Sequence, residues 1–481
     1  MYDSKLIALI STFSIENKRK LRKWVKSDFV NKNTDIISFF QFIDTRSTLT
    51  AKTLAKEKAH LYMYPNLPYQ DLRIRHLIWQ TTEIVEQFII YNKVTQQPAL
   101  SGQLLAQYYT DNELYKFAEQ STDESLTLIQ QSKLQNASYH LYQYHIQALS
   151  FHIQTRKNRS EVFNLQKVID HATIFSVIET LKYACVVQSM QKITEANIDI
   201  HLLDTTLKLI HENSLFLQEI SIRVYYNTYL MIKDESEQAY EQLIDDIKSH
   251  SSFFSISDLR DLYMFAISFC VKKSNQNIAR FTRETFELYI YTIQNGILLE
   301  NKVISRFSFT NVVTLGIKLK EFTATEEFIK QYAKLISKEF QKNTIDFNNA
   351  KLLFAKGNYQ KALQILLTNE FKDILWELNS KYIVLKIFFE TKDIIRFPIF
   401  LKAFKNFIKR KSNIGYHKNY FVNVSIALTQ LKELQQKPAM AQHFKFDAST
   451  PDIDWFNKAL ASMQGSKKQN KKADTKPTLK K

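Results

Sequence analysis

Phe354-Ala355-Lys356-Gly357-Asn358-Tyr359-Gln360-Lys361-Ala362-Leu363 is the stretch that decides the fold. Apolar residues approach Gly357 at helical spacing, and a second run leaves it at the same spacing. Glycine accepts the left-handed backbone that a tight turn between two helices needs. Tyr359 then fills the hairpin, and Ala362 lets the two helices come close. A weaker copy, Phe389-Glu390-Thr391-Lys392-Asp393-Ile394-Ile395-Arg396-Phe397, follows 35 residues later, and Lys320 to Phe328 stands 34 residues before, with Phe328 in the place of Ala362.

This pattern resembles the turn and second-helix start of a tetratricopeptide repeat, whose period is about 34 residues. Generic helical hairpins outside that family would give nearly the same architecture. Composition agrees with either. The chain of 481 residues holds 6 Gly and 7 Pro, far below average usage of roughly 7% and 5%. Strands and phosphate-binding loops need these residues at short intervals, and helical hairpins do not. A single core stops growing near about 250–300 residues, yet no Gly/Ser/Pro-rich linker interrupts the chain before residue 465. Hairpins that pack only on their neighbours resolve that conflict. The expected fold is therefore all-α, a tetratricopeptide-like solenoid of helical hairpins, clearest in the C-terminal third.

Working outward, 1–95 reads as an N-terminal helical cap. Leu6, Leu9, Ile10 and Phe13 share one helix face. Ile15 to Ser27 form an amphipathic helix, and Thr34 to Asp44 form another. Asp71 is expected to cap a long helix through Leu72, Leu77, Ile78, Ile84, Val85 and Phe88. Residues 96–300 form a degenerate hairpin array with breaks at Lys157-Asn158-Arg159-Ser160, Lys233-Asp234-Glu235-Ser236 and Lys272-Lys273-Ser274-Asn275. Residues 301–440 carry the tetratricopeptide-like hairpins, and 441–465 a last helical segment. Ser466 to Lys481, with seven lysines and one aspartate, reads as a disordered tail.

Several segments together resemble a family of uncharacterised α-helical repeat proteins of Bacteroidota. They are Trp24-Val25-Lys26-Ser27-Asp28-Phe29-Val30-Asn31-Lys32, where that family usually has proline in place of Asp28, and Pro68-Tyr69-Gln70-Asp71-Leu72-Arg73. Gly296-Ile297-Leu298-Leu299-Glu300-Asn301 is the strongest, followed by Phe309-Thr310-Asn311-Val312-Val313 and Lys320-Glu321-Phe322. The Gly357-Asn358-Tyr359 turn and Phe407-Ile408-Lys409-Arg410-Lys411 complete the set. The resemblance implies an α-helical solenoid and carries no activity with it.

The chemistry-bearing motifs are missing. The sequence contains no GxxxxGK[ST], GxGxxG, HExxH or GxSxG, and two cysteines, Cys185 and Cys270, are too few for a zinc site or a redox pair. His140, His145 and His152 lie on one helix beside aromatic residues, without the i, i+4 spacing or nearby carboxylates of a metal pair. They read as aromatic-face histidines. Glu235, Glu237, Glu241, Asp245 and Asp246 read as a solvated acidic face. No apolar run reaches the ~18 residues of a membrane span. Leu6 to Ile10 is followed by Glu16 and Lys18-Arg19-Lys20 with no cleavage site, so a mature cytoplasmic start is expected. No cofactor and no metal are expected, and the chain does not read as an enzyme.

Charge is the remaining signal. Lys and Arg total 65 against 48 Asp and Glu, a net charge of +17. From Ile394 to Lys432 there is no acidic residue, but there are Arg396, Lys402, Lys405, Lys409, Arg410, Lys411, Lys418 and Lys432, interleaved with Phe397, Phe400, Phe404, Phe407, Tyr416, Tyr420 and Phe421. Lys402, Lys405 and Lys409 follow one helical stripe, and Phe400, Phe404 and Phe407 another. The leading expectation is a non-catalytic scaffold for a protein partner, with this basic region a solvated face over a core stripe. The alternative is nucleic-acid binding, to RNA or the ribosome, through 394–432 and the Lys-rich tail.

Overall fold

The computed structural model describes residues 1–157, 163–191, 197–276, 278–371, 373–411, 415, 417–437 and 440–473. Within them the chain is almost entirely helical, as its Gly and Pro content implies. It divides into two compact units. The first comprises Met1–Tyr229 and Lys248–Ser255, the second Leu230–Ile247 and Ile256–Lys481. Of the three cross-over points two fall inside helices and the third at the start of one, at none of the polar breaks that the sequence shows. Tertiary packing sets the units, whereas polar breaks mark only the ends of single helices.

The first unit begins with α1 (Lys5–Ser11), α2 (Ile15–Val25), α3 (Thr34–Asp44), α4 (Lys56–Met63) and α5 (Asp71–Thr95). Leu6, Ile10, Leu21, Val25, Phe39, Phe42, Ile43, Ile74 and Val85 close one core among these five helices. Ser14 accepts a hydrogen bond from the Asn17 amide, and Asn33 one from the Asp35 amide, so α2 and α3 start where a polar side chain satisfies a free N–H. Asp71 does not cap. It occupies the first turn of α5, where Lys56 (2.8 Å), Tyr69 (2.9 Å) and Arg75 (2.5 Å) hold its carboxylate. Leu72, the next residue, is 79% exposed, so the buried stripe of α5 starts only at Ile74.

The unit continues with α6 (Pro98–Asp111), α7 (Tyr115–Gln131), α8 (Ala137–Lys157), α9 (Leu165–Gln191), α10 (Leu203–Glu212) and the start of α11 (Ile220–Lys233). Each of α6 to α9 packs on the next. The break expected at Lys157 to Ser160 lies outside the described residues beyond Lys157. The return segment 248–255 belongs here because the Phe253 carbonyl accepts the Gln135 amide at 2.9 Å. Ser221 donates to the Gln135 carbonyl at 2.7 Å.

The second unit runs from the end of α11 through α12 (Glu237–Ser249), α13 (Ile256–Asn275), α14 (Ala279–Gln294), α15 (Arg306–Lys318), α16 (Phe322–Tyr332), α17 (Lys338–Ala355), α18 (Tyr359–Thr368), α19 (Ile374–Glu390), α20 (Arg396–Arg410), α21 (His417–Gln436) and α22 (Ile453–Ala473). The break expected at Lys233 to Ser236 is present. The one placed at Lys272 to Asn275 is still helix, and α13 ends at Asn275. Between α14 and α15, Leu299–Glu300 and Val303–Ile304 form a two-residue antiparallel ladder turned by Asn301 (φ 50°) and Lys302 (φ 64°). Arg260 of α13 donates to the Ile297 and Leu299 carbonyls at 2.9 and 3.1 Å. This small hairpin is the element for which Gly296 to Asn301 codes.

Three helix pairs of this unit, α15–α16, α17–α18 and α19–α20, are joined by one recurring turn. At Gly357 (φ 76°) the Gly357 amide reaches the Phe354 carbonyl at 3.0 Å and the Asn358 amide the Leu353 carbonyl at 2.8 Å. At Lys392 (φ 55°) the equivalent bonds run from Lys392 to Phe389 and from Asp393 to Phe388, at 3.1 and 2.8 Å. This is the paired bonding that ends a helix in a left-handed residue. The third copy falls at Lys320 (φ 62°), with Glu321 reaching Gly316 at 2.8 Å. The 34-residue spacing would have put it at Thr323. In that hairpin the residue matching Ala362 is therefore Thr325, not Phe328. Thr325 and Ala362 are both fully buried. A methyl group at Gly316 would lie 2.1 Å from Thr325 Oγ1. The close approach is thus made by glycine on α15 in one hairpin and by Ala362 on α18 in the next. Helix α15 packs on α16 and α17, α17 on α18 and α19, and α19 on α20.

The backbone of α22 stays helical as far as Ala473, through Gly465 and past the boundary drawn at 465, with no proline after Pro451 until Pro477. The rest of the Lys-rich segment, 474–481, lies outside the described residues. Among the described residues no helix is long and apolar enough to cross a membrane.

Candidate interaction surface

Helices α19, α20 and α21 carry the basic region. Helix α20 buries Phe397, Leu401, Phe404 and Ile408, one face of the helix, into the core of the second unit. Burial of each such side chain stabilises by about 1.5–3 kcal/mol, which fixes the helix rotation. That rotation turns Lys402, Lys409 and Arg410 fully outward and leaves Lys405 half-buried. The core stripe is shifted from the expected one: Phe404 is in it, while Phe400 and Phe407 are only partly covered. Lys409 and Arg410 close the last turn, where cations complement the helix dipole.

The expected cations are not equivalent. Arg396 is tied to Asp393, which lies one residue before the acid-free run and accepts both the Arg396 guanidinium and, at 2.8 Å, its backbone amide. The Arg396 backbone amide, then burial's opposing pull and the Arg396 side chain, leave the Asp393 carboxyl below its ordinary range. Arg396 also lies over the Phe388 ring at 4.8 Å, so it is a structural ion pair. Lys402, Lys405, Lys409, Arg410, Lys411 and Lys418 make no ion pair among the described residues. Lys381 of α19 pairs with Glu377 at 3.3 Å. Both Lys381 (5.1 Å) and Lys411 (5.3 Å) lie over the Phe407 ring. Tyr416 lies outside the described residues, and Phe421 is buried against Phe404. Phe397, Phe404 and Phe421 are therefore core and Phe407 is cation-covered, while Phe400 is partly covered and Tyr420 is 39% exposed. Between Lys381 and Arg410 opens a surface pocket of about 310 Å³ floored by Phe400, Ala403, Phe404 and Phe407. Ile394, Ile395 and Ile399 stand out from the start of the same helix at 74%, 71% and 66% exposure.

Gly357, Tyr359 and Ala362 are structural. Tyr359 is half-buried with its ring 5.6 Å from Phe354, across the turn. The acidic stretch is structural too. Glu235, Glu237 and Glu241 pair with Lys272 (2.5 Å), Lys273 (3.5 Å) and Arg280 (2.7 Å), so it stitches α12 to the next two helices rather than lying free in solvent.

Two polar clusters escape sequence reading. Lys386 sits in the apolar run Val384 to Phe389 and is bonded to Asp452, which also accepts the Tyr382 hydroxyl at 2.9 Å. A lone lysine in such a run is the signal that a counter-ion must be near. Lys351, half-buried on α17, donates to Thr314 Oγ1 at 2.5 Å, and burial, followed by the nearby Lys386, pushes its ammonium down to about 8. In the first unit, His140 is buried with Nδ1 3.1 Å from His171 Nδ1 and Nε2 3.7 Å from Glu219. Burial first, then His140, push His171 down to about 4. His145 is half-buried and His152 exposed. Among the described residues no group of three or more His, Cys, Asp or Glu is arranged to hold a metal. Cys185 and Cys270 are buried thiols, and burial pushes Cys270 up to about 12.

No family model, curated protein or solved structure matches the chain.

Proposed function

We propose that this protein is a non-catalytic scaffold of the helical-repeat type, a tetratricopeptide-like solenoid in its second unit, that holds a protein partner in the cytoplasm. The observation that carries this reading is the recurring turn at Lys320, Gly357 and Lys392, with α15 and α17 each packed on its own hairpin partner and on the first helix of the next hairpin, and α19 on its partner α20. Stacking of that kind presents a row of equivalent helix faces, the device by which repeat proteins hold extended partners. The Bacteroidota resemblance, which implies an α-helical solenoid, points the same way. Binding of nucleic acid is the second reading, favoured by the six unpaired cations of α20 and its surroundings. The test is affinity capture from native lysate with and without nuclease. A scaffold retains a stoichiometric protein partner after nuclease; recovery of nucleic acid alone, lost on digestion, would replace the first reading with the second.

A further inference from the structure

We propose that the pocket between Lys381 and Arg410 is a docking site for one large apolar side chain carried on an acidic segment of a partner protein. This rests on the scaffold reading and names the partner's chemistry. The floor is apolar: Phe400, Ala403, Phe404 and Phe407 line about 310 Å³, room for a single aromatic or branched aliphatic side chain. Along α20 the apolar surface continues through Ile399 and Ile395 at i, i+4 spacing. Soluble proteins rarely leave such a surface uncovered without a use.

Charge complementarity identifies what covers it. Arg410 stands at the rim with no carboxylate partner among the described residues, and Lys402 and Lys409 are exposed elsewhere on the same helix, also unpaired among them. Carboxylates on either side of an inserted apolar anchor would meet these cations, while the anchor displaces water from the Phe400 ring and the Ala403 methyl group. Nucleic acid fits less well. Base stacking works best on a row of open ring faces, but within the pocket Phe404 is fully buried and Phe407 carries the Lys381 and Lys411 ammonium groups, which leaves Phe400 alone. Asn406 is the one neutral hydrogen-bonding side chain in the wall, which gives little means to read a base edge.

The experiment uses the full chain and fluorescence anisotropy. The probes are a short labelled peptide with one phenylalanine between runs of glutamate, the same peptide with serine replacing phenylalanine, and a single-stranded RNA of equal charge. The phenylalanine peptide should bind at least about tenfold tighter than the serine peptide, the effect of burying one such side chain. Ala403→Trp, which fills the pocket from an exposed position, should abolish that preference, and Arg410→Glu should weaken the acidic peptide about tenfold. Circular dichroism and melting check that both variants fold; Ala403→Glu serves if the tryptophan does not. Equal binding of the two peptides, or no effect of either substitution, overturns the proposal. So does RNA binding tighter than the phenylalanine peptide, or self-association that Ala403→Trp removes. If a nuclease-resistant partner is captured equally by Ala403→Trp, the pocket assignment falls and the scaffold stands. If no protein partner is captured at all, the scaffold reading itself falls.

Discussion

Gly357 and Lys392 occupy the same turn with the same hydrogen bonds, but one is glycine and the other is not. No atom lies within 4 Å of where a Gly357 Cβ would sit, so Gly357→Ala tests backbone conformation alone. It should destabilise the protein by about 1 kcal/mol, and Lys392→Gly should stabilise by a fraction of that, because a lysine held at φ 55° is strained. Urea denaturation of both variants checks this, and equal effects of the same sign would contradict it. Ala362→Leu should cost more, of order 1–3 kcal/mol, by overpacking a fully buried site against Phe347 and Ala350; an unchanged melting temperature would show slack there. The Gly357 turn was readable because glycine announces a left-handed residue. Its copy at Lys320 was misplaced because lysine announces nothing: the conformation is imposed there by the helices it joins, and only Thr325 and Gly316, small residues facing each other, hinted at the true register.

At the scale of elements, α22 is held to α19 by Asp452, whose carboxylate takes the Tyr382 hydroxyl and the Lys386 ammonium, while Trp455 donates to Glu390 at 2.9 Å. Asp452→Ala leaves a mostly buried lysine without its partner and should cost about 1.5–3 kcal/mol. Adding Lys386→Met should return a good part of it. Hydrogen exchange on α22 reads the change locally, and an unaltered α22 in Asp452→Ala would show that Trp455 and Phe456 alone hold the helix. In the sequence Asp452 is one acid in a polar loop, 66 residues from Lys386, and no local pattern joins them. The His140–His171 contact between α8 and α9 has a sign in pH. His171 is pushed down from 6.5 to about 4, so the folded state resists a proton that the unfolded chain accepts. Stability is therefore full above about 6.5 and declines as pH falls toward about 4. His171→Gln should flatten that decline in melting scans, and an equally steep loss in the variant would place its origin elsewhere.

Over the whole molecule, which carries a net charge of +17, the cations are disposed unevenly: Arg396, Lys272 and Arg280 are paired with carboxylates, while the α20 surface is left open. If that surface bound RNA, affinity would fall by about 0.7 log units per log unit of salt for each phosphate neutralised. Replacing Lys405, Lys409, Arg410 and Lys411 by glutamate would then remove most of the slope. The expected outcome is weak RNA binding at physiological salt that these changes barely alter. Tight RNA binding lost in the quadruple variant would favour the nucleic-acid reading. The path of the chain through its two units has a bearing on synthesis. Because segment 248–255 returns to the first unit, where Phe253 takes the Gln135 amide, that unit lacks its final piece until Ser255 has emerged from the ribosome. By then Leu230–Ile247, the opening of the second unit, is already outside and waiting. A nascent chain stalled at Tyr229 should thus be open to protease, and one stalled well beyond Ser255 should resist it.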